Sequence, residues 1–229
     1  MNTFPANPSL NASGSILPKV FGWMTLGLAI SALTAYWAAG TPAVLNVVLG
    51  NQTVFFGLLI LEVVLVILLS WLIQRISAGA ATALFLVYSF VNGLTLSAVV
   101  LLFTDASLAS TFLIAAAMFG AMALYGYATG RDLSRLGSIL LMALIGLIVA
   151  SVVNIFINNN MLEFVISAVG VLIFAGLTAY DLQKLKQMNM FAADDATRAK
   201  QAVFGALMLY LDFINIFLSL LNFTGRRRK

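Results

Sequence analysis

The chain contains no cysteine and no histidine. Without cysteine there is no disulfide framework, no thiolate nucleophile and no sulfur-bound metal. Without histidine the commonest general base and the commonest zinc ligand are missing, and with them any HExxH motif or Ser–His relay. Charge is scarce too, at 9% of 229 residues, against about 25% in an ordinary soluble domain. No lysine interrupts the long apolar runs, which excludes a retinal-type Schiff base inside a helical bundle. An enzyme is therefore not expected, and neither is a resident cofactor.

What is present is apolar: 62% of the residues are hydrophobic. A helix crossing a ~30 Å hydrocarbon core needs about 20 such residues. Seven segments meet that requirement, at about 20–39, 54–73, 81–103, 108–129, 138–157, 161–183 and 202–222. The sequence thus predicts an all-α polytopic membrane protein, a seven-helix bundle embedded in the lipid bilayer. Residues 1–18 read as a flexible cytoplasmic tail, 19–225 as the membrane domain and 226–229 as a basic C-terminal tail. The tail lacks the basic start and immediate apolar run of a cleavable signal peptide.

Lysine and arginine set the orientation. With the N-terminus inside, Lys19, Arg75, Arg131, Arg135, Lys184, Lys186, Arg198 and Lys200 all lie on the cytoplasmic side, while the opposite loops 40–53, 104–107 and 158–160 carry no Lys or Arg. Such scattered cations report topology; they are not a nucleic-acid footprint. The tail Arg226-Arg227-Arg228-Lys229 opposes this reading, because an odd number of spans places it outside. A re-entrant last segment is tolerated only where protein buries it, so a true seventh span, surrounded by the other six, is expected.

Carboxylates inside these spans are the main functional signal. Asp181 lies near the end of the sixth span, Asp212 in the middle of the seventh and Glu62 in the middle of the second. A charged residue at the centre of a spanning helix costs about 2.5–3.5 kcal/mol on insertion scales, which points to an ion pathway, a proton relay or a buried gate. Asp212, Asn215, Ser219 and Asn222 recur on one helical face, as do Ser167, Gly170, Phe174, Thr178 and Asp181. Such faces should turn inward. Tyr88, Asn92 and Thr95 share a face of the third span with Ser89, Gly93 and Ser97 beside it. Those groups suit either a polar path or helix-to-helix glue. Arg75, ending the second span on the side of Asp181, either approaches the carboxylates or snorkels to the headgroups. Counted from the ends of the apolar runs, Asp181 and Asp212 differ in depth by roughly 10 Å at 1.5 Å per residue. Asp194 and Asp195 read as solvated members of a long loop.

The stretches FAGLTAYDLQ (174–183) and LYLDFINIF (209–217) resemble the two signature segments of the Bax inhibitor family of transmembrane proteins. YSFVNGLTLS (88–97) is similar to its third-span motif, and Tyr125-Gly126-Tyr127 with Arg131-Asp132-Leu133 to the end of its fourth. The resemblance runs from about residue 18 to the end of the chain and looks closest to bacterial members, which implies an inner-membrane location. It implies a bundle with the last helix central and a pH-sensitive calcium leak controlled by paired aspartates. Asp181 and Asp212 match that pair and Arg75 the basic residue ending the second span. The loop from Asn189 to Lys200 looks longer than in compact calcium-leak members.

Two functions follow as expectations. In the first, the protein is a calcium leak whose ion path includes Glu62, Asn92, Thr178, Asn215 and Ser219, with Asp181 and Asp212 as transient calcium ligands. Neighbouring carboxylates resist simultaneous ionisation, so protonation becomes the gate. In the second, it is a non-transporting regulator that binds another membrane protein, such as a quality-control protease.

Overall fold

The computed structural model describes residues 15–190 and 194–228. Among them, helix is the only regular element: α1 (Leu17–Ala39), α2 (Pro42–Val48), α3 (Gln52–Leu72), α4 (Ala78–Leu102), α5 (Asp105–Ala128), α6 (Ser134–Ile157), α7 (Asn160–Met190) and α8 (Asp195–Thr224). All except α2 are long and apolar enough to span a membrane. The short α2 lies within the 40–53 connection, where the sequence reading had placed only a loop.

Helix starts are set by local chemistry. Asn51 Oδ1 accepts the backbone N–H groups of Thr53 and Val54, Ser77 Oγ that of Ala80, and Thr104 Oγ1 that of Ser107. Each satisfies donors that the first helical turn leaves free. α6 ends on Asn158 in the left-handed region, at φ 51°, a conformation asparagine tolerates.

The last two spans are longer than their apolar cores. α7 continues to Met190 and α8 begins at Asp195, so most of the expected long loop is helix. Asp194 is the N-cap of α8, accepting from the Thr197 backbone N–H at 2.8 Å, and Asp195 pairs with Arg198 at 3.6 Å. Both are solvated as expected, but they start a helix where a loop was expected. Hydrogen bonds from the Thr197 side chain and backbone hold the Asp194 carboxyl below its usual range. A group depressed in the folded state lends its support above its unfolded value and loses it as pH falls, so the start of α8 frays in acid. Residues 1–14, 191–193 and Lys229 lie outside the described residues, so the tail reading and part of the loop comparison fall there.

α8 sits in the centre, packing against α1, α3, α4, α5 and α7. In its apolar stretch 61% of residues are buried, against 0% in α6, which packs on α7 at the edge. Polarity explains the difference: α8 carries the stripe that lipid cannot satisfy. Close approach is set by glycine. Gly126 of α5 lies directly on the Ala179 backbone of α7, and Gly93 of α4 lies against Thr34 and the Ser31 carbonyl of α1. At the loop between α5 and α6, Gln183 of α7 accepts from Leu133 N at 2.8 Å and donates to Arg131 O at 2.7 Å.

The C-terminal tail docks on the side of the loop between α4 and α5. Thr104 N donates to Arg226 O at 3.1 Å and Arg228 N to Leu102 O at 2.8 Å. The Arg228 guanidinium meets both Asp105 oxygens at 2.9 Å, and Arg227 meets Glu163 at 3.3 Å. These pairs explain how a basic tail is held opposite the lysine- and arginine-rich loops. A single cysteine placed at Asn222 should react with an impermeant maleimide from outside intact cells, and one at Ser134 only after permeabilisation. The reverse pattern would refute the orientation.

Candidate functional site

Asp181 and Asp212 meet at the α7–α8 interface, and two contacts fix its register. Gly170 faces Ser219 and Leu185 faces Gly205. In the antiparallel pairing between them, Thr178 stands opposite Asp212 and Asp181 lies one turn away, about 5 Å along the axis at 1.5 Å per residue. This corrects the roughly 10 Å offset from the sequence. The offset shrinks because α8 starts seven residues before its expected apolar run, so counting from run ends misplaces both carboxylates.

Asp212 is buried, and its Oδ2 meets no protein donor. Thr178, fully buried with its hydroxyl donating to Phe174 O at 2.8 Å, lies against the Asp212 carboxyl. The two aspartates are close enough to act on each other electrostatically. Ser167 and Phe174 are buried on the same face of α7. On α8, Asn215 is half-buried with its amide donating to Leu211 O at 2.7 Å, and Ser219 packs on Gly170. Asn222 departs from the expected inward stripe: it is exposed, because α8 has nearly reached its end at Thr224.

Arg75 does not join the pair. It is exposed, its guanidinium 5.5 Å above the Trp71 ring of its own helix end, and among the described residues it makes no ion pair. The cation that acts on Asp181 is Lys184, one turn along α7. The sequence reading had used Lys184 only as a topology marker, although its three-residue spacing from Asp181 was visible.

The second centre is Glu62, which sequence reasoning left open. Its Oε2 accepts from Asn92 Nδ2 at 3.1 Å and its Oε1 from Thr95 Oγ1 at 2.6 Å. Tyr210 of α8 donates to Asn92 Oδ1 at 2.7 Å, and its oxygen also lies 2.6 Å from Ser31 Oγ of α1. Ser31 Oγ is also within 2.7 Å of the Ser89 carbonyl. One chain of polar groups therefore ties α3, α4, α8 and α1 together. The third-span polar residues serve both expected purposes: Asn92 and Thr95 hold a carboxylate, while Ser89 and Gly93 glue α4 to α1. Tyr210 and Ser31 were missed, since one tyrosine and one serine in apolar runs carry no spacing signal.

α8 thus presents Asp212 to α7 and, from two residues away, Tyr210 to α1 and α4. In both centres a carboxylate sits among hydroxyls and amides, able to hold a proton or to lend oxygens to a cation.

Residues 14–229 match the family model described as Inhibitor of apoptosis-promoting Bax1. The chain is 46% identical to the inner membrane protein YbhL of Escherichia coli over 234 residues, covering 100% of both chains. It is 44% identical over 213 residues to an uncharacterised protein of Borreliella burgdorferi, covering 93% of this chain and 92% of that one. Against the uncharacterised protein RP147 of Rickettsia prowazekii the identity is 41% over 212 residues, covering 92% and 89%. With two aspartates on its last two spans, seven membrane-spanning helices and these matches over nearly its whole length, the chain belongs to the Bax inhibitor family of multi-pass membrane proteins.

Proposed function

We propose that this protein is a calcium-permeable leak of the bacterial inner membrane, gated by protonation of Asp181 and Asp212, and that it is not an enzyme. The observation that carries the proposal is the buried Asp212 oxygen without a protein donor, one turn from a second carboxylate, in the interface of the central helix. A carboxylate left unpaired there is costly in purely structural terms, which a gate explains and a passive scaffold does not. Calcium takes six to eight oxygen ligands. Along the same interface Thr178, Asn215 and Ser219 offer two hydroxyls and an amide at successive depths, weak passing stations of the kind conduction needs. Glu62 with Asn92 is a second oxygen-rich station on the opposite face of α8.

Purified protein in liposomes loaded with a calcium-sensitive dye should admit external Ca²⁺ at several times the rate of protein-free liposomes. Equal rates would refute the leak. The regulator reading predicts the opposite result. In that reading the liposomes stay tight.

A further inference from the structure

α1 and α5 flank a groove of 750 Å³ that opens toward the membrane. A second recess of 380 Å³ adjoins it, with Leu28, Ala32, Phe112 and Phe213 lining both. On α1 the pair runs from Leu17 to Tyr36, about 28 Å at 1.5 Å per residue. A recess of this length, walled almost wholly by apolar side chains, suits an extended acyl chain. Small residues keep it open, Ala116 and Gly120 on the α5 wall and Ala29 on the α1 wall.

The cytoplasmic mouth carries a cation. Tyr127 lines the groove there. Lys186 donates to its carbonyl at 2.9 Å and stands 4.8 Å over its ring. Lys186 is exposed, and an ammonium has two further N–H donors to offer a phosphate. The acid of the adjoining loop, Asp132, turns its carboxylate to the Ser134 backbone N–H at 2.9 Å. Basic recesses between helices on the cytoplasmic side suit anionic lipid headgroups.

We propose that this groove binds an acyl chain of an anionic phospholipid whose headgroup rests on Lys186. The floor gives the site a consequence. Leu182 and Phe213 are buried there, and each directly follows one of the paired aspartates in sequence. A chain seated in the groove presses on the backbone that positions Asp181 and Asp212. This second step rests on the reading of that pair as a gate; the binding site itself does not.

The test is lipid retention by native mass spectrometry of the full chain, released from vesicles of phosphatidylglycerol or of phosphatidylcholine. Wild type should keep one phosphatidylglycerol at least tenfold more often than phosphatidylcholine. Lys186→Glu should abolish that preference. Gly120→Leu should lower retention of both lipids several-fold, because an added Cβ meets nothing within 4 Å and the side chain fills the groove without disturbing the fold. Equal retention of the two lipids, or retention unmoved by both variants, would overturn the site, as would a polypeptide crosslinked to Gly120→Cys. Calcium flux in the same two vesicle types is read separately. Flux that depends on phosphatidylglycerol in wild type and not in Gly120→Leu supports the coupling, and lipid-independent flux overturns it. Absence of flux in every vesicle refutes the leak and leaves the retention result to stand on its own.

Discussion

Gly126→Leu should sharply lower the yield of folded bundle. At this position a side chain would run into the carbonyl and Cα of Ala179 on α7, and backbone cannot rotate aside as a flexible side chain does. Overpacking a core costs about 1–3 kcal/mol, and here relief requires moving α7 away from α5 as a unit. The yield of monodisperse protein in size-exclusion chromatography should therefore fall several-fold. Gly146→Leu is the matched control, because an added Cβ on α6 meets nothing within 4 Å; its yield should equal wild type. Equal yields for both variants would show that α5 and α7 do not cross at Gly126.

The consequence reaches function because α7 is placed by that crossing. Asp181 lies two residues beyond Ala179, so the same contact that sets the helix separation sets the position of half the aspartate pair. The Gly126 spacing was visible in the sequence. Its weight was not, since a Gly-x-x-x-Gly pattern beside a charged loop does not say which helix approaches; Gly130, its nominal partner, has nothing within 4 Å.

Elsewhere the same division holds between what pattern shows and what packing decides. Seven spans were readable because each apolar run is near the length a bilayer requires and is broken by Gly-Thr-Pro, Asn or charged residues. The inward stripe on α8 was readable because lipid penalises polar groups wherever they point outward. The depth of the aspartates was not, because α7 and α8 run well past their apolar cores and only their contacts at Gly170 and Gly205 reveal the register. Glu62 shows the limit most plainly. Its partners come from α4, and through Asn92 the network extends to α8 and α1, a convergence of four helices that no spacing along one chain encodes. Arg75 fails for the opposite reason. Its place at the end of a span was right, but with Trp71 one turn earlier the guanidinium rests over an aromatic face and makes no ion pair among the described residues.

The second large effect concerns the aspartates. Replacing either by asparagine removes a titrating group and its charge while keeping shape and hydrogen-bonding capacity, so the fold should survive with wild-type yield. Asp212→Asn acts on the buried oxygen that meets no protein donor, and Asp181→Asn on its neighbour, which Lys184 also influences. In the wild type, protons compete with Lys184 and with each other for the pair, so calcium entry should vary strongly with pH. Either variant leaves one carboxylate without its coupled partner. The two-group response should then flatten, and the double variant should show none.

Calcium entry into dye-loaded proteoliposomes, followed from about pH 5 to 9, the range opened when burial moves carboxylates, tests this most directly. Wild type should change its rate at least several-fold across that range, each single variant much less, and the double variant not at all. Four superimposable pH profiles at measurable flux would contradict the aspartate pair as the gate.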